Sequence, residues 1–574
     1  MANILSEQYR SVFSTPKDEQ FLMDLDIPTQ RCPSLDDIQI QNEDIKEAIK
    51  DMNSYSAPGP DALPPAFYKE FVDELATPIK MIWRKSLDTG RTIEGKILSV
   101  VTPIYKSGNK SDPSNYRPIA LTNHLTKIFE RVLKKALVKH LESNNLLNVT
   151  QHGFRKGRST VTQLLRYYDS ILSMLEKGHK VDSIYVDFSK AYDKVDHNIL
   201  LKKIKSLNIG EKIVEWIGNF IKKRIQVVRV EGEVSGEVAV RSGVPQGSML
   251  GPLLFLIMMN NIDGKLFHAT VGSFADDTRL WKMVTGQMDT EQLQMELEIM
   301  YKWAIENNMS FNSKKFEGMR FGKDEIEPSY VDPDQNKIEQ KSHIMDLGIM
   351  MSNCLKFDMH IRNTAAKGNR MSGWVLRSFK TRKVDTMKTL LKSLIVSQME
   401  YCCILWSPTN QKQIDLLESV QRNFTRKISC FQSYNNVLQR VTCEVDYDER
   451  LRRLKIYSLE RRRERYQILY IYKIIAEIVP NPGLDILYFP RTKVRVEPKY
   501  ERNAPTWVTR IRNSSFYYIA PKLFNYLPAD MKELPDTTIS LELNYRRFKN
   551  KLDKYLAEIP DIPGRRNSLM VHVS

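Results

Sequence analysis

Two acidic segments carry the residues best suited to chemistry. In Ile184-Tyr185-Val186-Asp187-Phe188 a run that reads as a buried strand ends on Asp187, where a carboxylate can face solvent. In Val271-Gly272-Ser273-Phe274-Ala275-Asp276-Asp277-Thr278-Arg279-Leu280 two carboxylates stand side by side between apolar runs, at the tip of an expected hairpin. Turn propensity alone accounts for an Asp-Asp pair at a turn, yet neighbouring like charges also repel and invite a cation. Magnesium answers that need, because it prefers oxygen ligands and is usually held by one or two carboxylates plus substrate phosphates. Two such ions can clamp the attacking and leaving oxygens of an in-line displacement at phosphorus. On this reading Asp187 and Asp276 are bridging ligands and Asp277 is the weaker, outer partner.

Between the two acidic segments, Arg241-Ser242-Gly243-Val244-Pro245-Gln246-Gly247-Ser248-Met249-Leu250-Gly251-Pro252 forms a Gly/Pro-rich loop that runs into a buried helix through Phe255 to Met259. Glycines in such a loop let backbone approach a base pair closely, whereas an ordinary helix-entry loop needs fewer of them.

The elements that must position these side chains follow from periodicity. From about 96 to 350, strand-like runs alternate with helices: ILSVVTPIY, a helix from Asn123 to His140, a helix from Ser159 to Leu175, the strand VDSIYVDF and a hairpin around Phe274 to Trp281. That is an α+β pattern with an antiparallel sheet. From about 360 the pattern turns helical, with LKSLIVSQMEYCCILW and QIDLLESVQRNFTRKI as amphipathic candidates. Upstream, SAPGPDALPPAF predicts a shaped loop opening a helix with Phe67, Tyr68 and Phe71 on its inner face. After Cys443 comes an Arg-rich helical run, then a Pro-interrupted aromatic tail ending in a short helix, LNYRRFKNKLDKYLAEI, with the residues after Pro563 expected to fray.

Composition agrees with a folded chain that handles a polyanion. Hydrophobic residues at 42% and charged residues at 27% exclude a disordered or membrane-embedded class, and 574 residues suggest three or four units. Lys and Arg number 86 against 69 Asp and Glu, a formal charge of +17, which suits nucleic acid without requiring it. The 6 cysteines lack zinc spacing and read as free thiols in a reducing compartment. No apolar leader and no membrane-length run is seen, so the chain is expected to be intracellular, in the nucleus or cytoplasm.

The order Tyr-Val-Asp-Phe-Ser-Lys-Ala-Tyr-Asp (185–193), Ser-Gly-Val-Pro-Gln-Gly-Ser-x-Leu-Gly-Pro (242–252) and Phe-Ala-Asp-Asp (274–277) closely resembles the reverse transcriptases of non-LTR retrotransposons, especially the jockey-like long interspersed elements. Pro103-Ile104-Tyr105-Lys106, Asn115-Tyr116-Arg117-Pro118-Ile119 and Gln151 to Thr160 are similar to that family's earlier blocks. Asn312 to Lys315, Leu347-Gly348-Ile349 and Glu400 to Pro408 are similar to its later ones, so the resemblance covers about residues 50 to 560.

The resemblance implies an α+β right-hand polymerase: an N-terminal extension over 1–50, fingers and palm over 51–350, a helical thumb over 355–440 and a helical basic C-terminal region over 441–574. It implies an RNA-directed DNA polymerase that works with two Mg2+ ions, Mn2+ being a substitute, on an RNA template, a DNA primer or target DNA, and dNTPs, away from any membrane. Lys106 and Arg117 would contact the incoming triphosphate, as a point cation and a planar fork suit phosphate oxygens, and Lys315 would protonate the leaving pyrophosphate. Phe188, Tyr192, Gln246 and Gly247 would meet the nucleotide, with Tyr192 excluding a 2′-hydroxyl. Arg155 and Lys156 would touch nucleic acid.

Separately, the run from Arg450 to Arg465 could grip a phosphate backbone through Arg461, Arg462 and Arg463, or could be a solvated helix face. Asn261 departs from the Asp common in relatives and should alter a helix-end contact without ending catalysis. No endonuclease motif precedes residue 50 and no Cys/His knuckle follows, so target nicking is not expected of this chain. Two other readings share these motifs: a group II intron-type reverse transcriptase with maturase activity, and a non-catalytic RNA-binding retroelement relic, the latter disfavoured by the intact Asp187, Asp276 and Asp277.

Overall fold

The computed structural model describes residues 1–25, 27–93, 97–322, 328–435 and 440–563, so the expected fraying after Pro563 lies outside the described residues. In chain order, the elements that matter for the site begin with helix α1 (Ala2–Arg10), strands β1 (Ile97–Tyr105) and β2 (Tyr116–Leu121), and helices α2 (His124–Ser143) and α3 (Thr160–Glu176). Next come β3 (Lys180–Val186), α4 (His197–Ser206), β4 (Arg224–Val230), α5 (Gly251–Met259), β5 (Thr270–Phe274), β6 (Asp277–Val284), α6 (Gln287–Glu306), β7 (Glu317–Phe321) and β8 (Glu339–Gln340). The later chain adds α7 (Asp358–Ser378), α8 (Gln411–Thr425), α9 (Leu459–Ile475), α10 (Phe516–Asn525) and α11 (Leu541–Glu558). The mixture of helix and sheet is the α+β class expected.

Two sheets organise the first half. The central one has the order β8-β7-β3-β6-β5 and is antiparallel except for the short β8 edge, which runs parallel to β7. The other places β1 between β2 and β4, antiparallel to β2 but parallel to β4, a crossover that the expected all-antiparallel pattern did not include.

Alternation along the strands assigns each side chain to a face. Val181, Trp281, Met319 and Phe321 face one core with α3, while Ile184, Val186 and Leu280 face another with α5 and α6. α5 is apolar all round and buried on every side, as an interior helix must be, with a proline in its first turn where no donor is lost. The Ser159 hydroxyl and Thr162 form a capping box that starts α3.

The C-terminal helices share the core that contains α3. Arg512, buried, pairs with Asp169 at 2.6 Å and Glu176 at 2.7 Å on α3, and Tyr517 Oη donates to Leu165 O at 2.9 Å. Four local expectations need correction. Only Tyr68 of the Phe67, Tyr68 and Phe71 set is buried, because the helix Pro65–Glu70 is too short to turn all three inward. LKSLIVSQMEYCCILW is broken by the left-handed Cys402, and the Arg-rich run is two helices separated at the left-handed Lys455. A hairpin, Ile486–Phe489 with Lys493–Val496, interrupts the otherwise helical C-terminal part.

Candidate active site

Asp276 stands at the tip of the β5–β6 hairpin, whose last pair is Phe274 with Asp277, leaving Ala275 and Asp276 as the turn. Ala275 has φ +59°, a left-handed conformation that costs a β-carbon-bearing residue about 1–3 kcal/mol and persists only when its surroundings hold it. Gln151 does the holding. Its Oε1 accepts from Ala275 N and Gly153 N, both at 2.9 Å, and its Nε2 donates to Ala275 O at 3.2 Å. A β-carbon on Gly153 would fall 2.5 Å from Ala275 N, so the glycine lets the clamp close. In the sequence Gln151 is only the first residue of the 151–160 block, and nothing in its type or spacing announces that it grips a turn far along the chain.

Asp187 follows the end of β3. Its carbonyl accepts from Asn312 N at 2.8 Å, and its Oδ2 accepts from Lys315 Nζ at 2.7 Å. The cluster shows in how each charge feels the others. Asp276 is held above the usual carboxylate range by burial and by Asp187, against the pull of Lys106 and Arg117. Asp277, although its side chain reaches solvent, is pushed up to about 6 by burial, then by Asp276 and Asp187. Lys106 is lowered by desolvation and by Arg117 and Lys315, with Asp187 and Asp276 opposing. Asp187, Asp276, Lys106, Arg117 and Lys315 are therefore electrostatic neighbours, brought together from β3, the β5–β6 hairpin, the β1–β2 hairpin and the turn Ser313–Lys315.

Among the described residues no group of three His, Cys, Asp or Glu side chains is gathered tightly enough to hold a metal alone. The donor set still suits a hard divalent cation: the charges of Asp187 and Asp276 act on each other, burial leaves Asp276 short of compensation, and the Lys315 ammonium already sits on Asp187 as a stand-in cation. Substrate oxygens would have to complete the shell, as is usual for magnesium. Asp277 instead lines an adjoining cleft of about 310 Å3 with Asp187, Lys314, Lys315 and Asp346. A larger cleft, about 1100 Å3, lies among the C-terminal helices, away from these carboxylates.

Three residues expected to meet a nucleotide, Tyr192, Gln246 and Gly247, lie on neighbouring segments. Tyr192 stacks on Phe255 of α5, 4.4 Å between centroids at 15°, with the Phe154 ring edge-on at 6.3 Å. Burial and the Asp276 charge raise its phenol above the ordinary value, and its buried hydroxyl has no hydrogen-bond partner among the described residues. Gln246 Nε2 donates to Asp193 Oδ1 at 2.8 Å, and its carbonyl accepts from Ala120 N of β2 at 2.7 Å. Gly247 has φ +123°, and a β-carbon there would meet Ala120 O at 2.5 Å, so only glycine lets the loop lie this close to β2. Glu130 of α2, buried and unheralded in the sequence, accepts from Met249 N at 2.7 Å and Leu250 N at 3.0 Å, satisfying donors at the start of α5.

Other expected residues lie elsewhere. Phe188 is 3% exposed and stacks on Phe311 at 4.4 Å: two positions after Val186, it falls on the core face, opposite Asp187, so its ring is packed into the core where a contact with the nucleotide was expected. Arg155 is tied to Glu142 at 2.6 Å and donates to Asn148 O at 2.5 Å, a loop clamp rather than a nucleic-acid contact, while Lys156 is exposed. Arg461 and Arg463 are buried and Arg462 is bound by Glu400, so these three present no basic face. Asn261 accepts from Lys203 Nζ at 2.8 Å and Trp303 Nε1 at 3.1 Å, joining three helices where the altered helix-end contact was expected.

Residues 105–351 match the family described as reverse transcriptase (RNA-dependent DNA polymerase). The chain is 25% identical over 395 residues to the probable RNA-directed DNA polymerase from transposon X-element of Drosophila melanogaster, covering 67% of this chain and 43% of that protein. It is 25% identical over 449 residues to the RNA-directed DNA polymerase from mobile element jockey of Drosophila funebris, covering 75% and 48%. A shorter match, 28% identical over 162 residues, reaches the retrovirus-related Pol polyprotein from type-1 retrotransposable element R2 of Popillia japonica, covering 28% and 22%. The chain thus spans about half the length of the first two relatives. No described helix is long and apolar enough to cross a membrane.

Proposed function

We propose that this chain, which carries over residues 105–351 a reverse transcriptase domain similar to those of non-LTR retrotransposons, is an RNA-directed DNA polymerase with a right-hand architecture. Fingers and palm would occupy 51–350, a thumb 355–440, and the C-terminal region 441–574 would brace α3 from behind. The observation that carries the reading is that Asp187, Asp276, Arg117 and Lys315, remote in sequence, all act on the charge of Lys106, with Lys315 Nζ 2.7 Å from Asp187 Oδ2.

In the reaction the primer 3′-oxygen forms a bond to the α-phosphorus of a dNTP as the bond to pyrophosphate breaks. Asp187 and Asp276, with Asp277 outside them, would hold a pair of Mg2+ ions, Mn2+ being an acceptable substitute, whose charge when bound offsets that developing on the reacting oxygens. Lys106 and Arg117, exposed on the β1–β2 hairpin, bind the triphosphate. Lys315 leaves Asp187 as phosphate arrives and passes a proton to the departing pyrophosphate. Tyr192, fixed by its stack on Phe255, closes the space a 2′-hydroxyl would need, and the backbone at Gln246 and Gly247 supports the new base pair from below. RNA template and DNA primer or target DNA are the macromolecular partners.

Purified chain, a primed RNA template, dNTPs and magnesium test this directly. The wild type should extend the primer, and the chain with both Asp276→Ala and Asp277→Ala should not. Equal extension by the two, or none by the wild type, overturns the reading. Tyr192→Ala should admit ribonucleotides; unchanged sugar selectivity would remove its assigned role.

A further inference from the structure

Beside the site lies a wholly buried carboxylate that the proposed reaction does not use. Asp196 is 0% exposed. Its Oδ1 caps α4, accepting from Asn198 N at 2.8 Å and Ile199 N at 3.2 Å. One oxygen suffices for a cap. The other, Oδ2, accepts from Lys17 N at 2.8 Å and from Asn308 Nδ2 at 2.9 Å, which ties residues near the start of the described chain to a turn beyond α6.

More bonds follow the same line. Ser14 Oγ donates to Lys194 O at 2.9 Å, and Ser14 N donates to Ser242 Oγ at 2.9 Å, which in turn donates to Asp193 O at 2.7 Å. Asn308 Nδ2 also donates to Thr15 O at 2.9 Å, and Asn198 Nδ2 to Lys17 O at 2.8 Å. Just upstream, α1 buries Leu5 and Tyr9 against Val101 of β1 and Val228 of β4, so the segment is anchored on the sheet before it reaches these contacts. Each of the three pieces it fastens carries a candidate site residue. The 190–195 turn holds Tyr192, the 242–251 loop holds Gln246 and Gly247, and the 308–315 segment holds Lys315 and bonds to Asp187 through Asn312.

We infer that residues 14–17 form a strap that, through Asp196 and Ser242, fixes Tyr192 relative to Lys315 and so sets how strictly the site selects its nucleotide. This rests on the polymerase reading above. Asp196, Ser242 and Ser14 are positioning residues: none faces the cleft, and they act through the segments they hold. The physical ground is that a side chain selects a ligand only as sharply as its supporting segments fix it, whereas a locally loosened turn need not unfold the chain.

The test uses the full chain with Asp196→Asn, Ser14→Ala and Ser14→Thr. In Asp196→Asn, whichever way the amide turns, one pair of N–H donors loses its acceptor. Ser14→Ala removes one bond at a half-exposed position, which keeps the test open should Asp196→Asn fail to fold. Both should raise the KM for dNTP and lower discrimination against ribonucleotides on the order of tenfold, with kcat within about twofold. Ser14→Thr should restore both. In the metal-free chain, Gly243, Val244 and Asn312 amides should exchange faster with solvent in the two weakened variants. Unchanged KM and discrimination, or a fall confined to kcat, overturns the strap while leaving the polymerase intact. A wild type that extends nothing removes the polymerase reading instead, and unchanged exchange at those three amides then overturns the strap as well.

Discussion

The hairpin tip with Asp276 and Asp277 and the helix α9 with Arg461, Arg462 and Arg463 are both dense in like charge, and the structure treats them oppositely. In α9 most of the guanidiniums are compensated. Arg462 donates to Glu400 at 2.8 Å and Tyr466 at 3.1 Å, Arg465 to Asp553 at 2.8 Å, and Arg461 to Pro560 O at 3.0 Å; Arg463 is the exception, buried with its charge beside Glu418 but with Nε and Nη2 lacking a hydrogen-bond partner among the described residues. At the hairpin the charge of Asp187 raises the pKa of both carboxylates, the backbone just before them is strained at Ala275, and the nearby cations sit on other elements. Charges neutralised within the fold serve stability, and charges left under-compensated in a cleft are available for chemistry.

This contrast can be broken or sharpened by experiment. The largest effect should come from Asp187→Ala, which is expected to slow primer extension on the order of a hundred- to a thousandfold without lowering the melting temperature of the metal-free chain. A large loss of stability would instead class the tip with α9. Next, Arg462→Ala leaves the Glu400 carboxylate with Tyr466 Oη but no cation and should cost about 3 kcal/mol of unfolding free energy, read from denaturant titration. Extension per folded molecule and the salt dependence of RNA binding should not move; a shallower salt slope would restore a phosphate contact there.

Gln151→Ala stands between the two cases, since it removes the clamp on a strained turn. It should destabilise the chain by about 1–3 kcal/mol and also reduce extension on the order of tenfold, whereas loss of stability alone would make Gln151 merely structural. The smallest effect concerns pH. Asp277 has its folded pKa raised from 3.8 to about 6, so the stability tied to its protonated form is complete below 3.8 and lost as pH rises through about 6. Asp277→Asn should therefore melt higher than the wild type at pH 8 without metal, the two converging near pH 4. An equal difference at both pH values would sink the assignment.

The residues of the candidate site could be nominated from sequence because the chemistry expected of them is written in residue type. Asp187, Asp276 and Asp277 combine acidity with apolar flanks, and Lys106, Arg117, Tyr192, Gln246 and Gly247 were placed through the motifs around them. The misreadings share one cause. Phe188, Arg155 and Arg461 to Arg463 have types that suit substrate or nucleic acid, but which way a side chain faces, and whether a partner waits there, depends on strand parity and on residues far away: Phe311, Glu142, Glu400. The supports that went unnoticed, Gln151, Glu130 and Asp196, are common polar residues whose partners lie more than a hundred positions off.

By itself the sequence determined the strands and helices near the site, through periods of 2 and 3.6, and the inventory of charge that makes phosphoryl chemistry conceivable. Only the tertiary structure decided which charges would be neutralised and which left under-compensated, how a strained Ala275 turn could be tolerated, and that residues 14–17 reach the turn that follows Tyr192. The reason is physical: periodicity is local and survives in the sequence, whereas electrostatic compensation is set by distances of a few ångströms between groups that become neighbours only when the cores close.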